Sequence, residues 1–266
     1  MANNFAGDPN VKALWRFESG ALTTDSSGNG NTLTAVGTPT ESTGVGGFKE
    51  GSCAVSLDQS VEYQAFQRTD GNLSIGFPLK YGTSNNIFTI CGWTKLASLA
   101  HGLHGDIFAK TYNSDAYESL RIAWYRWNDE YRMTMVQGVA EVEGFNSVIA
   151  FTMTAADCIG IWNHIAFTYN DSTKAWTARL WNDTTSTASS NSGTFDHNIR
   201  ITNCRIVVGG YAWGAVEVYG IMNVVLDEVV VFNRVLSDAE IDKIRQGTYT
   251  YRPHDLRLVK KAELPT

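Results

Sequence analysis

The stretch LDEVVVFNRVLSDAEI, residues 226–241, contains the two elements that decide the fold of this chain. Its first half holds an uninterrupted apolar run at residues 229–232, which is typical of a strand covered on both faces. Its second half predicts a helix start, because Ser237 and Glu240 have the spacing at which each side chain bonds the other's backbone N–H. We therefore predict a strand followed by one short helix, from about residue 238 to residue 246, which ends before Gly247.

Alternation of apolar and polar residues recurs on the N-terminal side of this stretch and predicts strands. The segments that alternate or are mostly apolar are 11–17, 53–57, 61–65, 87–93, 120–124, 131–135, 162–168, 176–180 and 206–208. Turns at residues 127–129 and 170–171 predict two hairpins, and residues 69–86 and 183–198 have loop composition. With no long helical pattern, the chain is predicted to be an all-β, antiparallel sandwich.

The length and composition allow one large β domain or two small ones, and they argue against nucleic-acid or membrane partners. The chain has 266 residues, of which 43% are hydrophobic and 18% charged, so a large core can form. The net charge of −6 argues against binding to nucleic acid or to an anionic membrane surface. No apolar run is long enough to cross a membrane, and the first ten residues do not resemble a secretory leader.

The cysteines are predicted to be buried free thiols rather than a disulfide framework or a zinc site. They are widely spaced, no C-x-x-C pair occurs, and each lies in an apolar segment: Cys53, Cys91, Cys158 and Cys204.

Two separated motifs resemble the same family. Residues 226–241 resemble the last strand and short helix of laminin-G-like, concanavalin A-like domains. Residues 13–34, ALWRFESGALTTDSSGNGNTLT, resemble the first strand of that family and its D-x-S-G-N-G-N loop. The resemblance implies a two-sheet jelly-roll sandwich with one short C-terminal helix over residues 11–247. Residues 1–10 are then an N-terminal arm, and residues 248–266 are a C-terminal tail or docking arm.

A structural calcium ion is one expectation from this resemblance. The 25–31 loop offers carboxylate and amide oxygens, which suit calcium, and Asp227 matches a family position that faces such a loop. The resemblance therefore implies Asp25, Asn29 and Asp227 as ligands. The alternative is that Asp25 and Asn29 are ordinary turn residues that bond their own backbone.

A glycan site is a second expectation, because sugars stack their C–H faces on aromatic rings. Trp127, Tyr211 and Trp213 are the candidates, since they lie in or beside turns. These three could instead belong to the core or to a protein–protein surface. The tryptophans at strand positions are predicted to be core residues: Trp15, Trp93, Trp162 and Trp176.

Catalysis is not predicted. Glycoside hydrolysis needs a pair of facing carboxylates, and the family's enzymes carry an E-x-D-x-E type of strand. The nearest match, Glu141 and Glu143, lacks the third acid, and alternation places the adjacent Asp227 and Glu228 on opposite faces of a strand. His101 and His104, in HGLHG, are predicted to be loop residues rather than metal ligands.

The sequence favours a non-catalytic, surface-displayed protein, and two hypotheses remain. In the first, the chain is a phage virion decoration or fibre component that assembles in the host cytoplasm and binds neighbouring particle proteins or its own copies. Its basic tail would dock through Arg252, Arg257, Lys260 and Lys261, and its exposed face would bind a glycan. In the second, it is a free-standing carbohydrate-binding or adhesion module outside the cell or on its surface. A glycoside hydrolase is the weakest alternative.

Overall fold

The structure is a computed structural model that describes residues 3–59, 63–83, 86–111, 119–140, 145–213, 217–219 and 222–252. Two antiparallel sheets make up most of this part of the chain, which confirms the predicted all-β sandwich. No helix within the described residues is both long and apolar enough to span a membrane.

The first sheet has eight strands, numbered here in chain order. They are β1 (Val11–Trp15), β3 (Thr40–Ser42), β4 (Ala54–Leu57), β6 (Ile87–Ser98), β11 (Trp162–Asn170), β12 (Ala175–Asn182), β13 (Thr187–Thr194) and β17 (Asn223–Phe232). They are ordered β13-β12-β11-β6-β17-β4-β3, with β1 also paired to β17.

The second sheet has seven strands, in the order β10-β9-β8-β7-β14-β5-β2. They are β2 (Thr34–Val36), β5 (Ala65–Arg68), β7 (His104–Lys110), β8 (Leu120–Trp127), β9 (Glu130–Gly138), β10 (Phe145–Met153) and β14 (Ile206–Val208). A separate hairpin, β15 (Tyr211–Trp213) and β16 (Glu217–Tyr219), follows β14. The helices are α1 (Ala155–Cys158) and α2 (Asp238–Arg245), and a 3-10 turn covers Asp70–Asn72.

Strand β17 is hydrogen-bonded on both edges and covered on both faces, as its apolar run predicts. Strand β6 pairs along one edge, while β4 pairs with residues 224–226 and β1 with residues 229–232 on the other. Val229 and Val231 face the core between the sheets, and Val230 and Phe232 face the opposite side.

Helix α2 covers the outer face of the first sheet, where Ile241 and Ile244 pack against Phe232. It begins as predicted: Ser237 accepts from the Glu240 backbone N–H, and the Glu240 carboxylate accepts from the Ser237 N–H at 2.9 Å. Glu240 also accepts a hydrogen bond from Arg234 at 2.7 Å. These contacts fix the direction in which the chain leaves β17.

The described ends of the chain pack together beside α2. Asn4 and Thr250 form a parallel bridge, and the Phe5 and Tyr249 rings stack at 5.1 Å. The Tyr249 hydroxyl donates to Asp8 at 2.6 Å. Residues 3–10 and 248–252, predicted to be an arm and the start of a tail, therefore contact each other on the body of the sandwich.

Three local predictions were wrong. A strand was predicted at residues 61–65, but β5 begins at Ala65, and residues 63–64 lie before it. Residues 183–198 were predicted to be a loop, but residues 187–194 form the edge strand β13. Its side chains are exposed, so the strand is specified by backbone pairing to β12 and leaves no apolar alternation in the sequence. His104 was predicted to lie in a loop but begins β7.

All four cysteines are buried and none forms a disulfide bond, as predicted. The four tryptophans predicted to be core residues are also buried, but only Trp15 and Trp176 lie between the sheets. Trp93 and Trp162 belong to a smaller cluster on the outer face of the first sheet.

We expect Glu240→Gln to lower the melting temperature most at neutral pH. Burial acts to raise the pKa of Glu240, but hydrogen bonds from Arg234 and Ser237 outweigh burial and lower the pKa from 4.5 to about 2. A lowered carboxylate pKa stabilises the folded state above the unfolded value, and this contribution disappears as the pH falls from 4.5 towards 2.

Thermal melts of both proteins across this pH range measure the effect, and the gap between the two melting temperatures should close on acidification. Glu130→Gln, in an exposed ion pair with Arg132, serves as the control and should leave the profile unchanged. A gap independent of pH would contradict the assigned role of the Glu240 charge.

Candidate functional site

The outer face of the second sheet carries a continuous row of aromatic and charged side chains along β7 and β8. Ile122 and Trp124 of β8 face the core, so strand alternation turns Arg121, Tyr125 and Trp127 outward. The row, named here the β7–β8 face, consists of His101, His104, Asp106, Arg121, Tyr125, Trp127 and Tyr211.

Three aromatic rings form a stack at one end of this face. The Trp127 ring lies 5.5 Å from the His101 ring and 6.2 Å from the Tyr125 ring, with interplanar angles of 29° and 21°. Trp127 is 44% exposed, which is unusual for a large aromatic side chain. The stack therefore presents aromatic surface to solvent.

A charged network centred on the buried Asp106 adjoins the stack, because His104 is the cross-strand partner of Tyr125. Arg121 binds Asp106 through two hydrogen bonds, from Nε at 2.7 Å and from Nη2 at 3.0 Å. His104 Nδ1 lies 3.1 Å from the same carboxylate, and Arg121 also contacts the His104 ring. The pairing of β7 with β8, which has a register shift after Asp106, brings the Asp106 and Arg121 side chains onto the same face.

The charge on Asp106 is maintained despite its burial. Asp106 is fully buried, and burial acts to raise its pKa. The Arg121 charge and the His104 hydrogen bond outweigh burial, so the pKa of Asp106 lies below its usual value. The carboxylate therefore stays ionised and holds Arg121 and His104 in place.

Tyr211 closes the other end of the face. Its ring lies 5.5 Å from the Arg121 guanidinium and 5.3 Å, edge-on, from the His104 ring. It is carried by the β15–β16 hairpin, which packs on small residues of the sheet, Ala65, Ala109 and Val207. Because these side chains are short, the hairpin can lie close to the sheet.

This arrangement suits recognition of a sugar. The stacked rings offer an apolar platform for C–H groups, and the fixed Arg121, His104 and Asp106 offer oriented polar groups beside it. Asp106 is already saturated by its two partners, which makes it a positioning group rather than a free acid or base.

The structure brings together part of the predicted glycan site. Trp127 and Tyr211 lie on the same face, joined through Tyr125, His104 and Arg121. The backbone of Trp213 is in β15, but its side chain lies outside the described part of the structure. Sequence reasoning missed His104, Asp106 and Arg121, because only the pairing of β7 with β8 shows that they meet.

Two of the predicted calcium ligands, Asp25 and Asn29, form hydrogen bonds with the backbone. Both carboxylate oxygens of Asp25 accept hydrogen bonds, at 2.7–3.0 Å, from the backbone N–H groups of Leu14, Ser27 and Asn31. Asn29 donates its amide to the Val11 carbonyl. No three His, Cys, Asp or Glu side chains among the described residues are grouped to hold a metal. The turn-residue alternative explains Asp25, and calcium stays a prediction.

Asp227, the third predicted ligand, lies at a bulge in β17. Its Oδ2 accepts from the backbone N–H groups of Lys49 and Glu50, and its buried Oδ1 has no partner among the described residues. The neighbouring Glu228 has φ of 48° and pairs with Arg16. Burial raises the pKa of Asp227 to about 7 and that of Glu228 to about 8.

The bulge also corrects the prediction that Asp227 and Glu228 face opposite sides. Leu226 and Val229 both face the core, so the two acids between them lie together on the outer side of the sheet. Both are buried, at 0% and 2% exposure, so neither is accessible to a polysaccharide. The acids Glu141 and Glu143 lie outside the described residues.

Of the predicted docking residues, Arg252 is exposed and lines a cavity of about 700 Å³ with Arg234, Lys243 and Tyr251. The others, Arg257, Lys260 and Lys261, lie outside the described residues. Their docking role stays a prediction.

Comparison with known proteins identifies the family. The family model described as concanavalin A-like lectin/glucanases superfamily (Laminin_G_3) matches residues 67–242. No curated protein matches the chain.

Solved structures share the fold at low sequence identity. One is a structure of botulinum neurotoxin type C, whose cell entry is described as dependent upon interaction with two ganglioside molecules. It is 12% identical, with a TM-score of 0.58, and the match covers 91% of this chain and 52% of that one. The bacteriophage CBA120 tailspike protein 2 enzymatically active domain is 11% identical (TM-score 0.57; 82% and 31% covered). A Trypanosoma rangeli sialidase in complex with sialic acid is 10% identical (TM-score 0.54; 89% and 32% covered). This chain therefore spans about half of the toxin chain and about a third of the other two.

We expect Arg121→Met to destabilise the protein by about 3–5 kcal/mol, because it leaves the buried Asp106 carboxylate without its main partner. Denaturant unfolding of the variant measures this loss. Arg132→Met, on the neighbouring strand β9, removes an exposed ion pair with Glu130 and should cost at most about 1 kcal/mol. Equal losses in the two variants would show that the Arg121–Asp106 pair has no special role.

Proposed function

Because this chain belongs to the concanavalin A-like lectin/glucanase superfamily, we propose that it is a non-catalytic, surface-displayed binding protein whose β7–β8 face holds a glycan. The observation that carries the proposal is the exposed stack of His101, Trp127 and Tyr125 beside the fixed charges of Arg121 and Asp106. A platform of stacked rings bordered by oriented polar groups is the arrangement that a pyranose ring requires.

The structural relatives are consistent with a glycan ligand. The botulinum neurotoxin type C structure concerns interaction with gangliosides, and the Trypanosoma rangeli sialidase is in complex with sialic acid. Sugar-bearing ligands therefore occur among proteins of this fold. The identities are 12% and 10%, so the likeness supports the class of ligand and not a particular sugar.

The proposal is for binding without catalysis. On the β7–β8 face Asp106 is fully buried and accepts two hydrogen bonds from Arg121. Its carboxylate is therefore not available to a glycosidic bond. Hydrolysis would need a second carboxylate about 5–10 Å from the first, with both reaching the substrate. The geometry of this face supports holding a sugar rather than cleaving it.

We also propose the setting in which this binding operates. The basic residues of the tail, on a chain with net charge −6, suit docking to a neighbouring particle protein or to another copy. This favours a virion decoration or fibre component that is assembled in the host cytoplasm and displayed on the virion surface. A free-standing carbohydrate-binding or adhesion module is the alternative, and structural calcium remains a separate proposal for either.

We expect Trp127→Ala to weaken retention on a glycan column by about tenfold or more, because it removes the exposed ring on which a sugar would stack. The melting temperature should not change, since this side chain lies outside the core. Tyr81→Ala is the matched control, because Tyr81 is a 62% exposed aromatic residue in a different loop. Unchanged retention of the Trp127 variant on every glycan that holds the parent protein would refute the assigned face.

We expect the full chain to form particles heavier than its 29.3 kDa monomer, and a chain that ends at Arg252 to remain monomeric. Truncation at this point keeps Tyr249, whose contacts with Phe5 and Asp8 belong to the fold. Light scattering measures the mass, and equal melting temperatures would show that the shorter chain is folded.

A full-length variant in which serine replaces Arg257, Lys260 and Lys261 removes the positive charges of the tail but keeps its length. It should behave as the truncated chain does if the basic residues dock. A monomeric full-length chain would favour the free-standing module instead.

A further inference from the structure

The outer face of the first sheet carries a second group of aromatic and charged residues, which the β7–β8 face does not include. A row of cross-strand partners runs from Trp181 in β12 through His164 in β11 and Trp93 in β6 to Asp227 in β17. Since paired residues share a face, these four side chains lie side by side on the same side of the sheet as α2.

Each of three tryptophans on this face has a cation over its ring. Lys49 Nζ lies 4.5 Å from the Trp93 ring centre, and Arg245 Cζ lies 3.7 Å from that of Trp181. The third pair, Lys95 over Trp162 at 5.0 Å, lies further along the face. We name the six residues the cation–tryptophan face. A cation held by a ring face keeps its N–H groups available to a ligand.

An open cleft of about 540 Å³ lies between two of these cations, within the range of pockets that hold one small molecule. Its lining residues are Lys49, Glu50, Gly51, Trp93, Asp183, Arg245 and Gln246. Lys95 and Trp162 do not line it.

The two cations in the cleft are only loosely neutralised. Lys49 pairs with Asp183 at 2.9 Å, but Asp183 is 41% exposed, so water competes for this ion pair. Arg245 Nε meets Asp242 at 3.4 Å, a long contact with a side chain that is 38% exposed. A ligand anion could therefore replace either partner at small cost.

The pKa of the neighbouring His164 is affected by the positive charges on this face. Burial, followed by the charges of Arg245 and Arg179, lowers its pKa to about 3. Its neutral ring packs at 5.1 Å against Trp93, behind the cleft.

The remaining lining residues define the rest of the ligand. Glu50, Asp183 and Gln246 accept hydrogen bonds from hydroxyl groups, whereas two carboxylates would repel a polyanion such as a phosphate ester. A monoanion rich in hydroxyl groups matches all of these features. We propose that this cleft is a second binding site, for an acidic sugar of the uronic acid type, with its carboxylate between Lys49 and Arg245.

The test follows the indole N–H signals of Trp93 and Trp127 by NMR, each assigned with a Trp→Phe variant of the full chain. D-Galacturonate and D-galactose are the probes, because they differ only at C6, which is a carboxylate in one and a hydroxymethyl group in the other. Galacturonate should shift the Trp93 signal, and galactose should bind at least about tenfold more weakly, as expected for loss of a charge-assisted contact.

Lys49→Met removes the ammonium group and keeps the apolar stem over Trp93, so it should weaken galacturonate binding by about tenfold. Lys95→Met removes an equivalent charge outside the cleft and should have no effect. Equal affinity for the two sugars, equal loss in the two variants, or no shift of Trp93 would overturn the proposal. Sodium acetate that shifts Trp93 as strongly as galacturonate does would show a simple anion site and overturn it as well.

Galacturonate binding in the cleft can be distinguished from glycan binding on the β7–β8 face. Trp127→Ala should leave the galacturonate titration of Trp93 intact, because Trp127 lies on the other sheet. If this variant abolishes the titration, the acidic sugar binds on the β7–β8 face and the second site is refuted.

Discussion

The pairing of β17 on both of its edges is the constraint on which the rest of the structure depends. One edge joins β6 over most of its length, and the other joins β4 and then β1, which brings the two ends of the chain into one sheet. The change of partner on that edge coincides with the bulge at Asp227 and Glu228. The valines of the run at residues 229–231 are buried on one face or the other, so a single apolar run supports both the core and the contact with α2.

The bulge explains why two carboxylates are buried in the middle of the first sheet. Asp227 holds the chain at Lys49 and Glu50 through backbone hydrogen bonds, and Glu228 meets Arg16 at the end of β1. Both have raised pKa values because burial disfavours their charged forms. Lys49, which donates its backbone N–H to Asp227, also lines the cleft. The contacts of β17 therefore also position a residue of the second proposed site.

The two proposed binding faces use the same residue types in different ways. On the β7–β8 face the charges of Arg121 and Asp106 neutralise each other, and the exposed Trp127 ring stacks with the rings of His101 and Tyr125. On the cation–tryptophan face the rings of Trp93 and Trp162 are buried, and the charges above them are accessible. The first arrangement suits a sugar surface and the second suits a negative charge, and the sandwich presents them on opposite sides.

The sequence by itself determined the elements whose signals are local. The apolar run at residues 229–232, the Ser237–Glu240 cap and the turns at residues 127–129 and 170–171 depend on neighbours in the chain, and each is where it was predicted. The matching ends of the chain also identified the family. Strand β13 was missed because pairing with β12, and not its own residues, makes it a strand.

Only the tertiary structure decided which polar residues meet. Trp127 and Tyr211 were proposed as ligand contacts from their positions near turns, yet the Asp106–Arg121–His104 network between them forms only when β7 pairs with β8. Lys49 pairs with Asp183, which is 134 residues away along the chain, and Asp227 accepts from the Lys49 backbone, 178 residues away. Such contacts depend on strand order and register, which are properties of the whole sandwich and leave no local pattern in the sequence.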